Sequence, residues 1–104
     1  MILTTTETVP NKNITEVLGI VRGNTVRTRA IGKDILAGFK QIVGGEIHEY
    51  SNLMVESREE AFKRMAEKAE ELRADAVLNI RFTTSMITQG SAEILVAGTA
   101  VKIN

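Results

Sequence analysis

Glu93-Ile94-Leu95-Val96-Ala97-Gly98-Thr99-Ala100-Val101-Lys102-Ile103, close to the end of the chain, is the stretch that decides the fold. Successive strand residues point to opposite faces, so Glu93, Leu95, Ala97, Thr99, Val101 and Ile103 share one face. Ile94, Val96, Gly98, Ala100 and Lys102 share the other, and both faces are largely apolar. A strand of this kind either lies centrally between two layers or packs against another subunit. With only two helices expected to cover the sheet, packing against a second subunit is the expectation.

Upstream, Gln89-Gly90-Ser91 offers a turn, and before it Ala76, Leu78, Ile80, Phe82 and Met86 alternate with Val77, Asn79, Arg81, Thr83 and Ser85. That period of two predicts a strand with one apolar face. Before this strand the period lengthens: Phe62, Met65, Ala69, Leu72 and Ala76 form the apolar stripe of a long helix. Its start is expected between Ser51 and Ser57, where Ser57 and Glu60 have capping-box spacing, although Leu53-Met54-Val55 suggests an earlier beginning. Arg58, Glu59, Lys63, Glu67, Lys68, Glu70 and Glu71 give the opposite, solvent face mixed charge.

Glu46 to Tyr50 reads as extended, with Glu46, His48 and Tyr50 on one side. Gly44-Gly45 before it ends a short amphipathic helix over Lys33 to Val43. A phosphate-binding role for the two glycines is disfavoured, because the lysine and hydroxyl of a nucleotide loop are missing. Gly23-Asn24 interrupts Ile14 to Thr28 as either a tight hairpin or a bulge, with a long bulged or bent strand preferred, and Ile2 to Thr6 reads as a short strand ended by Val9-Pro10-Asn11-Lys12-Asn13.

These elements make a single α+β domain over residues 1–104, a small antiparallel sheet with two helices. Composition narrows the functions open to it. Thirteen basic residues balance 13 acidic ones, so no net positive field exists for nucleic acid or anionic lipid. No run approaches the roughly 20 apolar residues of a membrane span, and Met1 to Thr6 lacks the features of a signal peptide, so a cytoplasmic location is expected. Cysteine is absent, which removes thiolate catalysis and thiolate metal sites.

No enzyme is expected. Ser51, Ser57, Ser85 and Ser91 sit in no nucleophile elbow, and the one histidine lies in a separate segment. Glu59-Glu60 and Glu70-Glu71 are consecutive on a helix and diverge. Met54, Met65 and Met86 fall on apolar stripes and read as packing rather than as a soft-metal cage. Arg22, Arg27, Arg29 and Lys33 form the one basic cluster, read as a solvated or intersubunit edge.

Two polar groupings carry chemistry. Glu46, Tyr50, Arg58 and Arg81 form the ligand-binding candidate, because an arginine in mid-strand must meet water, a carboxylate or a bound anion. Glu46 is its expected protein partner; the alternative is a polar cavity, between subunits, that binds a small anionic ligand through Arg81 and Arg58. His48 with Glu46, helped by Glu49, is the metal candidate for a divalent ion. No cofactor is required by the sequence.

The segments Val17-Leu18-Gly19-Ile20-Val21, Gly44-Gly45-Glu46, Arg58-Glu59-Glu60-Ala61 with Met65, Ala74-Asp75-Ala76-Val77, Arg81-Phe82 and Ile94 to Val101 together resemble the YbjQ family over nearly the full length. That family carries a heavy-metal-binding label. The resemblance implies a fold like the dodecin subunit and assembly as a homo-oligomeric ring, most often a pentamer, but no established catalytic activity. The expectation is therefore a non-catalytic pentameric ring with an intersubunit ligand cavity. A structural scaffold for protein partners, or a metal-binding protein using His48, are the alternatives.

Overall fold

In the computed structural model the backbone is described for residues 1–28, 45–88 and 90–104, and side chains for 1–28, 52–88 and 90–104. The elements run β1 (Ile2–Leu3), β2 (Ile14–Thr28), α1 (Gly45–Glu71), β3 (Ala76–Thr88) and β4 (Ser91–Ile103). The strands make one sheet in the order β1-β3-β4-β2. β4 pairs antiparallel with both β2 and β3, while β1 pairs parallel with β3, so the sheet is mixed rather than wholly antiparallel. One helix is seen among the described residues; the helix expected over Lys33 to Val43 lies outside them.

The doubly apolar β4 is central in the sheet. Its inner face, Ala92, Ile94, Val96 and Ala100, is buried beneath α1 with Val21, Ala61, Met65, Ala69, Val77 and Ile80. At one end of its outer face, Val101 packs with Ala76 and Leu78 under Val9 and Ile103, so the segment after β1 serves as a second cover. On neighbouring β2, Val17 opposite Val101 and, farther along, Ile20 and Val26 remain exposed. The apolarity of β4 thus has two sources: a helix on one side, and on the other a loop followed by open surface.

Two glycines set the distances between layers. A methyl group on Gly23 would overlap the carbonyl oxygen of Ala61 and the amide of Met65, so only glycine lets α1 lie this close to β2. On Gly98 it would come within 2.5 Å of Val77 Cγ1 and 3.1 Å of Ile80 Cγ1. Gly23 and Asn24 continue the ladder in register opposite Val96 and Leu95; the irregularities of β2 fall between Ile14 and Glu16 and between Val17 and Gly19. The expected bulge is therefore displaced, and the glycine serves helix packing instead.

α1 begins at Gly45, which corrects one expectation: Glu46 to Tyr50 is helical rather than extended, while the helix expected to end at Gly44-Gly45 lies outside the described residues. Ser57 is buried in the middle of the helix, where its Oγ donates to the Leu53 carbonyl at 2.8 Å. A serine hydroxyl satisfied four residues back needs no helix terminus, so the capping-box spacing with Glu60 has no cap to make. The buried stripe is Ser57, Ala61, Met65 and Ala69; Phe62 flanks it and Leu72 is exposed. The helix ends with Arg73 at φ 60°, the Arg73 amide donating to Glu70 and the Ala74 amide to Ala69, which satisfies the last carbonyls.

β3 departs from simple alternation. Leu78 pairs with Thr99 but Arg81 pairs with Ala97, so one extra residue is inserted. Asn79 takes a left-handed φ of 54°, a conformation that asparagine tolerates better than most side chains. The consecutive amides of Asn79 and Ile80 donate to Thr6 and Thr4 at 3.0 and 3.1 Å. Ile80 consequently turns under the helix, while Leu78 and Arg81, expected on opposite faces, share the outer one.

The molecule extends over 56 × 20 × 17 Å with a radius of gyration of 17.6 Å. A compact chain of this length is expected near about 13 Å. The long β2–β4–β3 blade projects beyond the layers that cover it.

Candidate functional site

The bulge at Asn79 places Arg81 on the open outer face, opposite Ala97. Arg81 Nη1 donates to the carbonyl oxygens of Thr5 and Ile80, both at 3.0 Å. Those two bonds fix the base of the guanidinium, and among the described residues no carboxylate lies within ion-pair distance of it. A guanidinium carries five N–H donors in a planar fork, so donors remain to address an oxyanion.

Beside Arg81 lies an open depression of about 220 Å³, lined by Ile20, Asn79, Arg81, Ala97, Gly98 and Thr99. One polar fork, one amide and one hydroxyl stand over an otherwise apolar floor. This composition suits a ligand with a small apolar body and an anionic end. Asn79 and Thr99 were not picked out by sequence reasoning as site residues. The available signal was limited to an asparagine two residues before a mid-strand arginine.

The expected ligand set does not gather in one chain. Arg58 is exposed on α1, which covers the inner face, whereas Arg81 stands on the outer face. The sheet separates them. Glu46 and Tyr50 are placed through the backbone alone, four positions apart in the first turns of α1. His48 lies between them, and a helix advances about 100° per residue, so positions 46 and 48 stand about 160° apart around the axis. The shared strand face on which the His48–Glu46 metal candidate rested is therefore replaced by a helix that separates the two. Among the described residues no group of three or more His, Cys, Asp or Glu is arranged to hold a metal ion.

On the inner face, a second polar cluster is structural. Arg27 Nε donates to Ser57 Oγ at 3.0 Å, and Thr25 Oγ1 donates to the Ser57 carbonyl at 3.1 Å. Arg64 Nη1 donates to the Asn24 carbonyl at 2.7 Å and its Nε pairs with Glu60 at 3.2 Å. These contacts lash α1 to β2, and Arg27 of the basic cluster belongs to them. No described helix is long and apolar enough to cross a membrane.

Comparison with known proteins agrees with this architecture. The chain is 56% identical over 103 residues to a UPF0145 protein of Archaeoglobus fulgidus, covering 99% of this chain and 95% of the relative. It is 55% identical over 103 residues to UPF0145 protein VP1283 of Vibrio parahaemolyticus, covering 99% and 98%. A crystal structure of a protein of unknown function from Pediococcus pentosaceus superposes with a TM-score of 0.67 over 100% of this chain and 98% of that one, at 16% identity. That likeness is one of fold. A family model described as "Putative heavy-metal-binding" matches residues 1–104, and with it the chain belongs to the YbjQ family.

Proposed function

We propose that this protein is a non-catalytic homo-oligomer, a ring of five chains, that binds a small anionic ligand in a cavity closed between subunits and anchored by Arg81. The setting of Arg81 carries this reading: its guanidinium is pinned by two backbone carbonyls, without a carboxylate partner among the described residues, beside a depression open to one side. A neighbouring subunit laid over that side excludes water. Lower local polarity then strengthens an arginine–carboxylate or arginine–phosphate contact.

The same face supports assembly. Ile20 exposes apolar surface in the depression, Val17 and Val26 do so elsewhere along β2, and the blade is too extended for a chain that buries its own core alone. In this reading Arg58, with Glu46 and Tyr50 on the same helix, reaches the ligand from the adjoining subunit. A cytoplasmic setting suits a cysteine-free chain, and the balanced charge favours neither nucleic acid nor membrane as partner.

The family description favours a second reading, a divalent metal at His48 and Glu46. Because those positions diverge around α1, the metal requires ligands from several subunits, with copies of His48 gathered about the ring axis. Arg81→Met decides for or against the first reading. It is expected to preserve the assembly and to abolish retention of the small molecule that this reading predicts on denaturing the wild-type protein; dissociation or misfolding would instead assign Arg81 to architecture. A metal lost in His48→Ala, with no organic anion present, supports the second reading. A ring that carries neither is a scaffold for protein partners.

A further inference from the structure

The N-terminal segment pairs with β3 at Ala76 and Val77 and continues to Asn79 and Ile80, where their amides donate to Thr6 and Thr4. Beyond Arg81, whose side chain closes this segment through Thr5, no described strand pairs with the outer edge of β3. The irregularity between Met86 and Thr88 ends the regular strand. Among the described residues, a free edge therefore runs from Phe82 to Met86. It carries no charge, no proline and no bulge, the devices by which monomeric proteins keep edges from pairing. Phe82 and Met86 are 49% and 77% exposed.

We propose that this edge pairs antiparallel with the same edge of a second copy, across a two-fold axis at Thr84. Three observations select this occupant and register. First, backbone groups alternate in direction along a strand. Since the Ile80 amide points to the edge, those of Phe82, Thr84 and Met86 do so too, and a two-fold at Thr84 sets each opposite an equally oriented residue of the second copy.

Second, Phe82 and Met86 pair with Val96 and Ala92 of β4, so both stand on the inner, helix-bearing face. The two-fold brings Phe82 against Met86 of the second copy, and Met86 against its Phe82, a favourable sulfur–aromatic pairing. Phe82 already stacks on Phe62 at a centroid distance of 6.1 Å, which braces one side of the new contact. Third, a two-fold sets each residue against its own kind or its mirror position, and this is tolerated only where like charges are absent. The Phe82–Thr88 stretch meets that condition, whereas β2, the opposite edge, carries Glu16, Arg22 and Arg27. An isologous contact of this type joins two copies or, applied to rings, two rings.

Thr84 is exposed, so a charged side chain there is compatible with the fold. The test measures solution mass for wild type, Thr84→Lys, Thr84→Glu and an equimolar mixture of the two variants. Each variant alone is expected to have half the mass of wild type, since like charges meet on the axis. The mixture is expected to recover the wild-type mass, because lysine then faces glutamate. Unchanged mass in the single variants, or a mixture that stays at half mass, would overturn the proposal. The readout is a halving for a ring of any size, so failure here is distinct from failure of the ligand-binding reading.

Discussion

Arg27 and Ser57 are joined across the strand–helix boundary: the Arg27 Nε donates to the Ser57 Oγ at 3.0 Å, and that hydroxyl donates onward to Leu53. Ser57 also accepts from Thr25 through its carbonyl, so one buried helical residue ties two inner positions of β2 to α1. Removing the hydroxyl leaves a part-buried guanidinium donor without its partner. Such a loss costs about 1–3 kcal/mol. Ser57→Ala is expected to lower the denaturation midpoint accordingly with an unchanged m-value in urea; a midpoint equal to wild type would show the contact to be energetically idle.

The close approach of α1 to β2 rests on Gly23. The added methyl of Gly23→Ala meets helix backbone, which cannot rotate away as a side chain would. The helix must shift from Val21, Ile94 and Val96, and overpacking of this kind costs about 1–3 kcal/mol or more. Thermal unfolding is expected to show a larger loss for Gly23→Ala than for Gly19→Ala. No atom lies within 4 Å of a methyl at Gly19, so its cost is confined to backbone strain at φ 134°. Equal losses at the two positions would contradict the helix-approach role of Gly23.

Asn79 is the residue that aims Arg81. A β-branched side chain resists its left-handed φ of 54°, at a cost of roughly 1–2 kcal/mol, whereas glycine adopts it freely. Asn79→Val is therefore expected to destabilise the protein and to disorder Arg81. Asn79→Gly is expected to keep the fold within about 1 kcal/mol of wild type. Chemical shifts of Ile80 and Arg81 report the outcome, with the valine variant displaced and the glycine variant close to wild type.

The sequence carries the long strands plainly, since Ile14–Thr28 is extended as expected, with its irregularities at other positions, and the two faces of Ser91–Ile103 alternate as expected. The extent of α1 was hidden for a local reason. Ser57 has the chemistry of a cap, and only the tertiary contact with Arg27 and the backbone contact with Leu53 explain a buried serine in mid-helix.

The bulge was hidden for a different reason: in the sequence the alternation runs unbroken through Asn79, and nothing local reveals that Ile80 and Leu78 will part company. That single inserted residue decided the site. Arg81 was visible as a mid-strand cation needing a partner, but its face, and therefore its separation from Arg58, depended on the bulge. Glu46 and His48 were set on one strand face because five polar and apolar residues cannot by themselves distinguish a short strand from the opening turns of a helix.

Native mass spectrometry of untagged protein, purified without chelator, tests the central claim most directly because one spectrum reports subunit count and retained mass together. The account predicts particles built from multiples of five chains, about 57 kDa for five copies of the 11.4 kDa chain or twice that with β3 edges paired. It further predicts a reproducible organic mass that is lost in Arg81→Met while the assembly persists. A monomer, or an assembly whose retained mass is unchanged in Arg81→Met, would contradict it.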